Sequence, residues 1–269
     1  MQTASAALEP KQLPGFESPS NLMKGCQPIW HQAGNAEAIL FVHGFTGSPG
    51  DFRTFTEAYS AAGYDWFVPL LPGHGTQVED LAKLVYRDLF DPLCLITPEL
   101  LHRYKKLHLV GLSYGAVMAS QLALEYPVGS LTLLAPAFFL RPDLAFKFRW
   151  IHRLGLARLY GIRPKAKGGE RGTESAYSYT SVPVLPATSL FAQTQKLRKR
   201  IHQLGVEVLH IHGDKDETTP LLANREFLSA SIATYKFYEV KGGLHVLPIG
   251  AQKKDIARHH LSWLKKGVL

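Results

Sequence analysis

The chain of 269 residues carries 30 Lys and Arg against 22 Asp and Glu, a formal net charge of +8, with 46% hydrophobic and 19% charged residues. That balance excludes a disordered chain, and 14 Phe, 11 Tyr and 4 Trp supply a core for one large α/β domain or two ordinary ones. Two cysteines, Cys26 and Cys94, with no C-x-x-C spacing, exclude a disulfide framework and a Cys-rich zinc site. No basic stretch followed by an apolar one opens the chain, and the longest nearly apolar run, residues 131–140, is about half the ~20 residues of a membrane span and is broken by Pro136. A soluble, cytoplasmic protein is expected.

Residues 1–27 show no sustained period and read as a loose N-terminal arm, followed by a short edge strand over 28–31. The run Ala38-Ile39-Leu40-Phe41-Val42, ended by His43-Gly44, fits a strand buried on both faces. Phe52, Phe55 and Tyr59 then predict a helix over 49–62 with Gly63 as its stop. A strand over 65–69, a helix over 78–89 and a strand over 107–110 follow. That third strand runs through Gly111 into a helix ended by Pro127, and 130–134 reads as a fourth.

The rhythm then breaks. Residues 136–205 hold helical patches at 144–160 and 189–204 and a Gly/Ser/Thr-rich stretch at 167–180, but no convincing buried strand. Alternation resumes with a strand over 206–211, a helix over 220–229, a strand over 235–240 and a helix over 251–265. The pattern predicts an α/β fold with a doubly wound, mostly parallel sheet spanning 28–135 and 206–269, and a small helical cap over 136–205 inserted after the fourth recognisable strand. The cap holds 13 Lys and Arg against 3 Asp and Glu, so the positive excess of the whole chain sits there and the rest is close to neutral.

Gly111-Leu112-Ser113-Tyr114-Gly115 fits G-x-S-x-G between a strand and a helix. A serine on so tight a turn is pushed above the sheet, and only small neighbours such as Gly111, Gly115 and Ala116 avoid a clash. A nucleophilic serine needs a base, and the base an orienting carboxylate; for a serine so placed they follow on later strands, acid before histidine. The strand over 206–211 runs into His212-Gly213-Asp214-Lys215-Asp216, and that over 235–240 into Lys241-Gly242-Gly243-Leu244-His245. Ser113, Asp216 and His245 therefore stand in order, each past the C-terminal end of a strand. His43-Gly44-Phe45 follows the first strong strand, so the backbone N–H groups of Phe45 and Tyr114 are the expected oxyanion hole.

The strings Phe41-Val42-His43-Gly44-Phe45-Thr46-Gly47-Ser48-Pro49 and Leu71-Pro72-Gly73-His74-Gly75-Thr76 with Glu79-Asp80, the serine elbow, and Asp214-Lys215-Asp216-Glu217 carry a resemblance. Over residues 38–269 the sequence resembles the α/β-hydrolase superfamily, and within it bacterial monoacylglycerol lipases and carboxylesterases. The resemblance implies hydrolysis of a small-molecule acyl ester of medium or long chain under a small cap, with no cofactor. It also chooses Asp216 over Asp214 as the acid, leaving Asp214 as a turn residue that bonds its own loop. Tyr114 stands where many members carry Met or Leu; only its backbone N–H is asked to act. Acyl thioester or C–C bond cleavage on the same three residues, or non-catalytic binding, are the competing readings.

His43, His74, Phe138 and Phe139 are candidate substrate-binding residues. His210 and His212, two apart on one strand, suit a metal pair, but no third ligand is evident and packed or solvent-edge histidines are expected; no metal is assigned. His259 and His260 beside Arg258 read as a solvated helix face, and Cys94 as a small core residue. The mixed aromatics and cations of residues 138–153 suit transient contact with an anionic membrane surface, while no nucleic-acid module is present. Acyl-chain length and oligomeric state are not legible in the sequence.

Overall fold

The structure is a computed structural model that describes residues 10–165 and 176–266, so the N-terminal arm and the stretch over 167–180 lie partly outside it. Strands β1 (Ile29–His31), β2 (Glu37–Val42), β3 (Asp65–Val68), β4 (Lys106–Leu112) and β5 (Ser130–Leu134) precede the inserted segment, and β8 (Val208–Gly213) and β9 (Tyr235–Val240) follow it. Together they form a seven-stranded sheet in the order β1-β3-β2-β4-β5-β8-β9. Only the edge pair β1–β3 is antiparallel. Leu40 of β2 lies opposite Phe67 of β3 on one side and Leu109 of β4 on the other.

The helices are α1 (Glu57–Ala61), α2 (Val78–Leu81), α3 (Tyr86–Arg103), α4 (Tyr114–Glu125), α5 (Pro142–Arg153), α6 (Ala157–Tyr160), α7 (Val184–Arg198), α8 (Leu221–Ser231) and α9 (Lys253–Lys266). The strand side chains divide between two cores because successive Cβ atoms point to opposite faces. Ala38, Leu40 and Val42 enter one core with α3, α4 and α7; Ile39 and Phe41 enter the other with Phe52, Phe55, Tyr59 and α9. Burial on both faces is why β2 reads as an unbroken apolar run over 38–42, each large side chain contributing about 1.5–3 kcal/mol.

Differences from the expected elements have local causes. The stretch over 49–62 is not one helix but a 3-10 turn, Pro49–Phe52, and the short α1. Ser48 and Asp51 close a capping box on the turn, and the two pieces still aim Phe52, Phe55 and Tyr59 at Phe41, with ring centroids 5.2, 6.3 and 5.3 Å away. The helix over 78–89 is likewise two. A new start forms where the Val85 N–H donates to the Asp88 carboxylate (2.8 Å), and α3 then continues to Arg103 through Pro92 and Pro98. Pro98 has no N–H for the Cys94 carbonyl, and the Tyr126 hydroxyl donates to that oxygen instead (3.1 Å). From Pro10 onward the arm is docked, not loose: Phe16 sets its ring edge against Trp30 and Phe67, and the Leu70 N–H donates to the Gly15 carbonyl (2.7 Å).

The segment between β5 and β8 contains α5, α6, α7 and a ribbon of β6 (Ile162–Pro164) antiparallel to β7 (Ser181–Pro183). Phe148 and Ile151 turn inward from α5, the former edge-on to Phe191 of α7 at 6.2 Å. No described helix is long and apolar enough to cross a membrane. The solvated face expected at residues 259–260 is corrected at His260. That residue is 1% exposed and bridges Tyr59 Oη and Thr132 Oγ1, both at 2.8 Å, because the inner face of α9 needs polar partners where it crosses β5.

Candidate active site

Ser113 joins β4 to α4 with φ of +57° and ψ of −117°, a conformation that residues other than Gly rarely adopt. The turn is held by the Ser113 N–H donating to the Leu134 carbonyl (2.9 Å), and by the Ala116 and Ala137 N–H groups donating to the Ser113 carbonyl (3.1 and 3.2 Å). Gly115 is required by space: a Cβ there would lie 2.2 Å from the Val42 carbonyl oxygen and 2.5 Å from that of His43. The elbow is thus pressed against the end of β2, which brings the His43-Gly44-Phe45 turn beside the serine.

The His245 Nε2 lies 3.0 Å from Ser113 Oγ, and its Nδ1 lies 2.8 Å from Asp216 Oδ2. With Asp216 ionised, the Nδ1 is the protonated nitrogen and Nε2 is free to accept the serine proton. Asp216 Oδ1 accepts the Thr218 and Thr219 backbone N–H groups (2.7 and 2.9 Å), and Oδ2 accepts the Thr219 hydroxyl (2.7 Å) and His212 Nε2 (3.0 Å). Burial opposes ionisation here, but His245 and His212 prevail and hold the carboxyl well below its usual range. Asp214 does something else: it accepts the Gly242 N–H (2.7 Å) and lies 3.8 Å from Lys241 Nζ. It ties its own loop to the next one. Gly213 lets those loops meet, since a Cβ there would strike the Gly243 carbonyl oxygen at 2.1 Å.

Phe45 and Tyr114 stand face to edge with ring centroids 6.0 Å apart. Among the described hydrogen bonds neither of their N–H groups has an acceptor, and that of Tyr114 opens α4, where the helix leaves donors unpaired. His43 and His74 support this turn from behind. His43 Nε2 accepts the Leu71 N–H (3.1 Å) while its Nδ1 donates to the Gly44 carbonyl (3.0 Å). His74 Nε2 accepts the Thr46 N–H (3.1 Å) while its Nδ1 donates to the Pro72 carbonyl (3.0 Å). Both rings are buried, with both nitrogens of each committed to the loops; burial takes His74 down to about 4 and holds His43 well below its ordinary range.

Phe138 and Phe139 follow β5. Phe138 is buried and Phe139 half-buried, both against Phe227 of α8, with the Arg198 guanidinium 3.8 Å over the Phe139 ring. Asn224 fixes this stretch by accepting the Phe139 N–H (3.1 Å). Sequence reasoning missed two polar members of the site, His212 and Thr219. Their only mark in the sequence is position, four before and three after Asp216. His210 and His212 face each other (2.9 Å between Nε2 and Nδ1) as part of a hydrogen-bonded line.

A serine, histidine and carboxylate so aligned above a doubly wound sheet have the geometry that a serine nucleophile, its base and an orienting acid require. Residues 39–258 match the alpha/beta hydrolase family, and the chain belongs to it. Among curated proteins it is similar to a thermostable monoacylglycerol lipase of Bacillus sp. (strain H-257), 34% identical over 106 residues, a stretch covering 39% of this chain and 42% of the lipase. It is also similar to a carboxylesterase of Bacillus subtilis (strain 168), 22% identical over 87% of this chain and 94% of that one. A solved structure from the metagenome-derived lipolytic enzymes LipS and LipT shares the fold with a TM-score of 0.79 at 23% identity, covering 91% of this chain and 99% of its own.

Proposed function

We propose that the protein hydrolyses carboxylic esters, with monoacylglycerols or other acyl esters of medium or long chain as the substrate class. The observation that carries this is the unbroken line from Ser113 Oγ through His245 to Asp216, at 3.0 and 2.8 Å. The similarity to a monoacylglycerol lipase and a carboxylesterase supports the same reading.

In this mechanism His245 takes the Ser113 proton as Oγ attacks the ester carbonyl, and Asp216 keeps the imidazole in the productive tautomer and stabilises its charged form. The Phe45 and Tyr114 N–H groups hold the tetrahedral oxyanion, each donor of this kind being worth on the order of 3 kcal/mol. His245 then protonates the leaving alcohol, and water repeats the sequence on the acyl-enzyme. Ser113 is 9% and His245 8% exposed, so the reaction runs in a site largely screened from water, with Phe138 and Phe139 as the residues that receive the acyl chain. The test is hydrolysis of p-nitrophenyl esters of graded chain length by wild type and Ser113→Ala. Turnover that vanishes in the variant is the expected result; no turnover of any ester by the wild type would overturn the reading. Monoacylglycerols set against acyl thioesters then separate the leaving groups.

The inserted segment also supplies a surface for its substrate's source. Phe146 and Trp150 on the outer face of α5 are 63% and 43% exposed, with Lys147, Arg149 and Arg153 around them, and Leu154, Leu159 and Tyr160 continue the exposed apolar surface. Aromatics ringed by cations suit the headgroup region of an anionic bilayer. Binding to phosphatidylglycerol vesicles that weakens with salt and is lost in Phe146→Ser with Trp150→Ser is expected. Equal binding to neutral and anionic vesicles would refute it.

A further inference from the structure

A buried polar line runs away from the acid on the side opposite His245. His212 Nε2 lies 3.0 Å from Asp216 Oδ2 and 3.1 Å from the Thr219 carbonyl oxygen. His212 Nδ1 lies 2.9 Å from His210 Nε2, and His210 Nδ1 lies 2.8 Å from the Tyr235 hydroxyl. His210 and His212 are fully buried on β8.

The partners fix the direction of every proton. Asp216 Oδ2 and the Thr219 carbonyl can only accept, so His212 Nε2 carries the hydrogen, and in the neutral imidazole its Nδ1 is a lone pair. His210 Nε2 must then donate to it, which leaves His210 Nδ1 to accept from Tyr235. Each bond points toward Asp216: hydroxyl to His210, His210 to His212, His212 to the carboxylate. Such a chain polarises in one sense and strengthens along its length. His210 stays neutral because burial, then the neighbouring His212 and Arg225, hold it well below the ordinary histidine range. The groups facing His212 are thus Asp216, the Thr219 hydroxyl and carbonyl, and His210, with His245 reached through the carboxylate.

We propose that His212, oriented by His210 and Tyr235, is a positioning residue that fixes the rotation and charge of the Asp216 carboxylate, and through it the alignment of His245. This rests on the ester-hydrolase reading above. Without the His212 donor, Asp216 is held against rotation by Thr218, Thr219 and the His245 it must itself align, and more of its charge is left to stabilise protonated His245. The acid limb of kcat/KM, which requires neutral His245, then moves to higher pH.

Three enzymes test this: wild type, His212→Leu and His212→Gln, whose side-chain amide still offers an N–H to the carboxylate. Expected for His212→Leu is a fall in kcat on the order of tenfold, with KM little changed and the acid limb moved upward. His212→Gln restores much of the rate and the wild-type limb. A leucine variant with wild-type kcat and limb overturns the proposal, as does a glutamine variant as impaired as leucine while equally folded by circular dichroism. Nitrogen-15 NMR of the histidines in the wild type needs no substitution and no turnover. His210 and His212 both as the neutral Nε2–H tautomer is expected; His212 as the Nδ1–H tautomer or doubly protonated at pH 7 overturns the proposal. Because that readout is independent of activity, an enzyme inactive on every ester would sink the hydrolase reading while the relay remained separately testable.

Discussion

Replacing Asp216 and Asp214 separately by Asn distinguishes two carboxylates two residues apart in one loop. In Asp216→Asn the amide oxygen takes the place of Oδ1, where the Thr218 and Thr219 N–H groups need an acceptor at 2.7 and 2.9 Å. The amide NH2 then occupies the Oδ2 position and faces the Nδ1–H of His245 and the Nε2–H of His212. Donor meets donor twice. His245 relieves its clash by moving its proton to Nε2, which abolishes its ability to accept from Ser113. His212 cannot do so without turning a lone pair on the Thr219 carbonyl 3.1 Å away. Loss of the correct tautomer lowers kcat by on the order of 10⁴-fold in a comparable triad. The two forfeited charge-assisted bonds add a stability loss of roughly 3 kcal/mol. Asp214→Asn keeps an oxygen for the Gly242 N–H and loses only a 3.8 Å contact with a lysine that is 79% exposed, so kcat stays within about twofold. Steady-state kinetics with a soluble p-nitrophenyl ester and urea melts of all three proteins supply both readouts. An equal loss of activity in the two variants, or full activity in Asp216→Asn, refutes the reasoning.

Gly115→Ala forces a Cβ to 2.2 Å from the Val42 carbonyl, where only backbone can give way; a loss of roughly 1–3 kcal/mol and of most activity is expected in a urea titration and an ester assay, and an unchanged midpoint would count against it. Ser113→Gly relieves the +57° φ, so it melts above Ser113→Ala by an amount equivalent to about 1 kcal/mol, although both are inactive; equal melting points would show the elbow to be unstrained. Acid sensitivity follows from the buried histidines. His43, His74, His210 and His260 all bind protons less readily folded than unfolded, with His74 down to about 4 and His260 to about 3 by burial. Below about pH 6.5 the unfolded chain takes up protons that the folded chain refuses, each group removing about 1.4 kcal/mol per pH unit until its folded value is reached. The urea midpoint is therefore expected to fall steeply between pH 7 and pH 5, and a flat profile contradicts the neutral, hydrogen-bonded assignments.

The parallel sheet is legible because β2, β4, β5 and β8 are buried on both faces: β2 spells an unbroken apolar run over 38–42, and β4, β5 and β8 are rich in Leu, Val and Ile interrupted only at single interior positions such as His108, Thr132 and His210. The elbow was legible for a steric reason, since a serine with backbone pressed within about van der Waals contact on every side forces small neighbours into fixed positions. The helix expected over 78–89 stops short of α3, which continues to Arg103 through Pro92 and Pro98, and the hydroxyl that takes up the Cys94 carbonyl comes from Tyr126, remote in sequence. His260 and His212 were undervalued for a common reason. A histidine's partners are not written in its sequence neighbours: His260 is held by Tyr59 and Thr132 on other elements, and His212 by Asp216 and Thr219 of the following loop and by His210 on its own strand.

The central claim is that Ser113 becomes covalently acylated. Brief incubation with a p-nitrophenyl ester, acid quench and mass spectrometry of the digested protein reads this directly, and a fluorophosphonate probe gives a stable equivalent. The expected result is the acyl or phosphonyl mass on the peptide carrying Ser113, absent from Ser113→Ala and slow to form in Asp216→Asn. Hydrolysis of the ester with the probe mass on another residue, or on none, would contradict it.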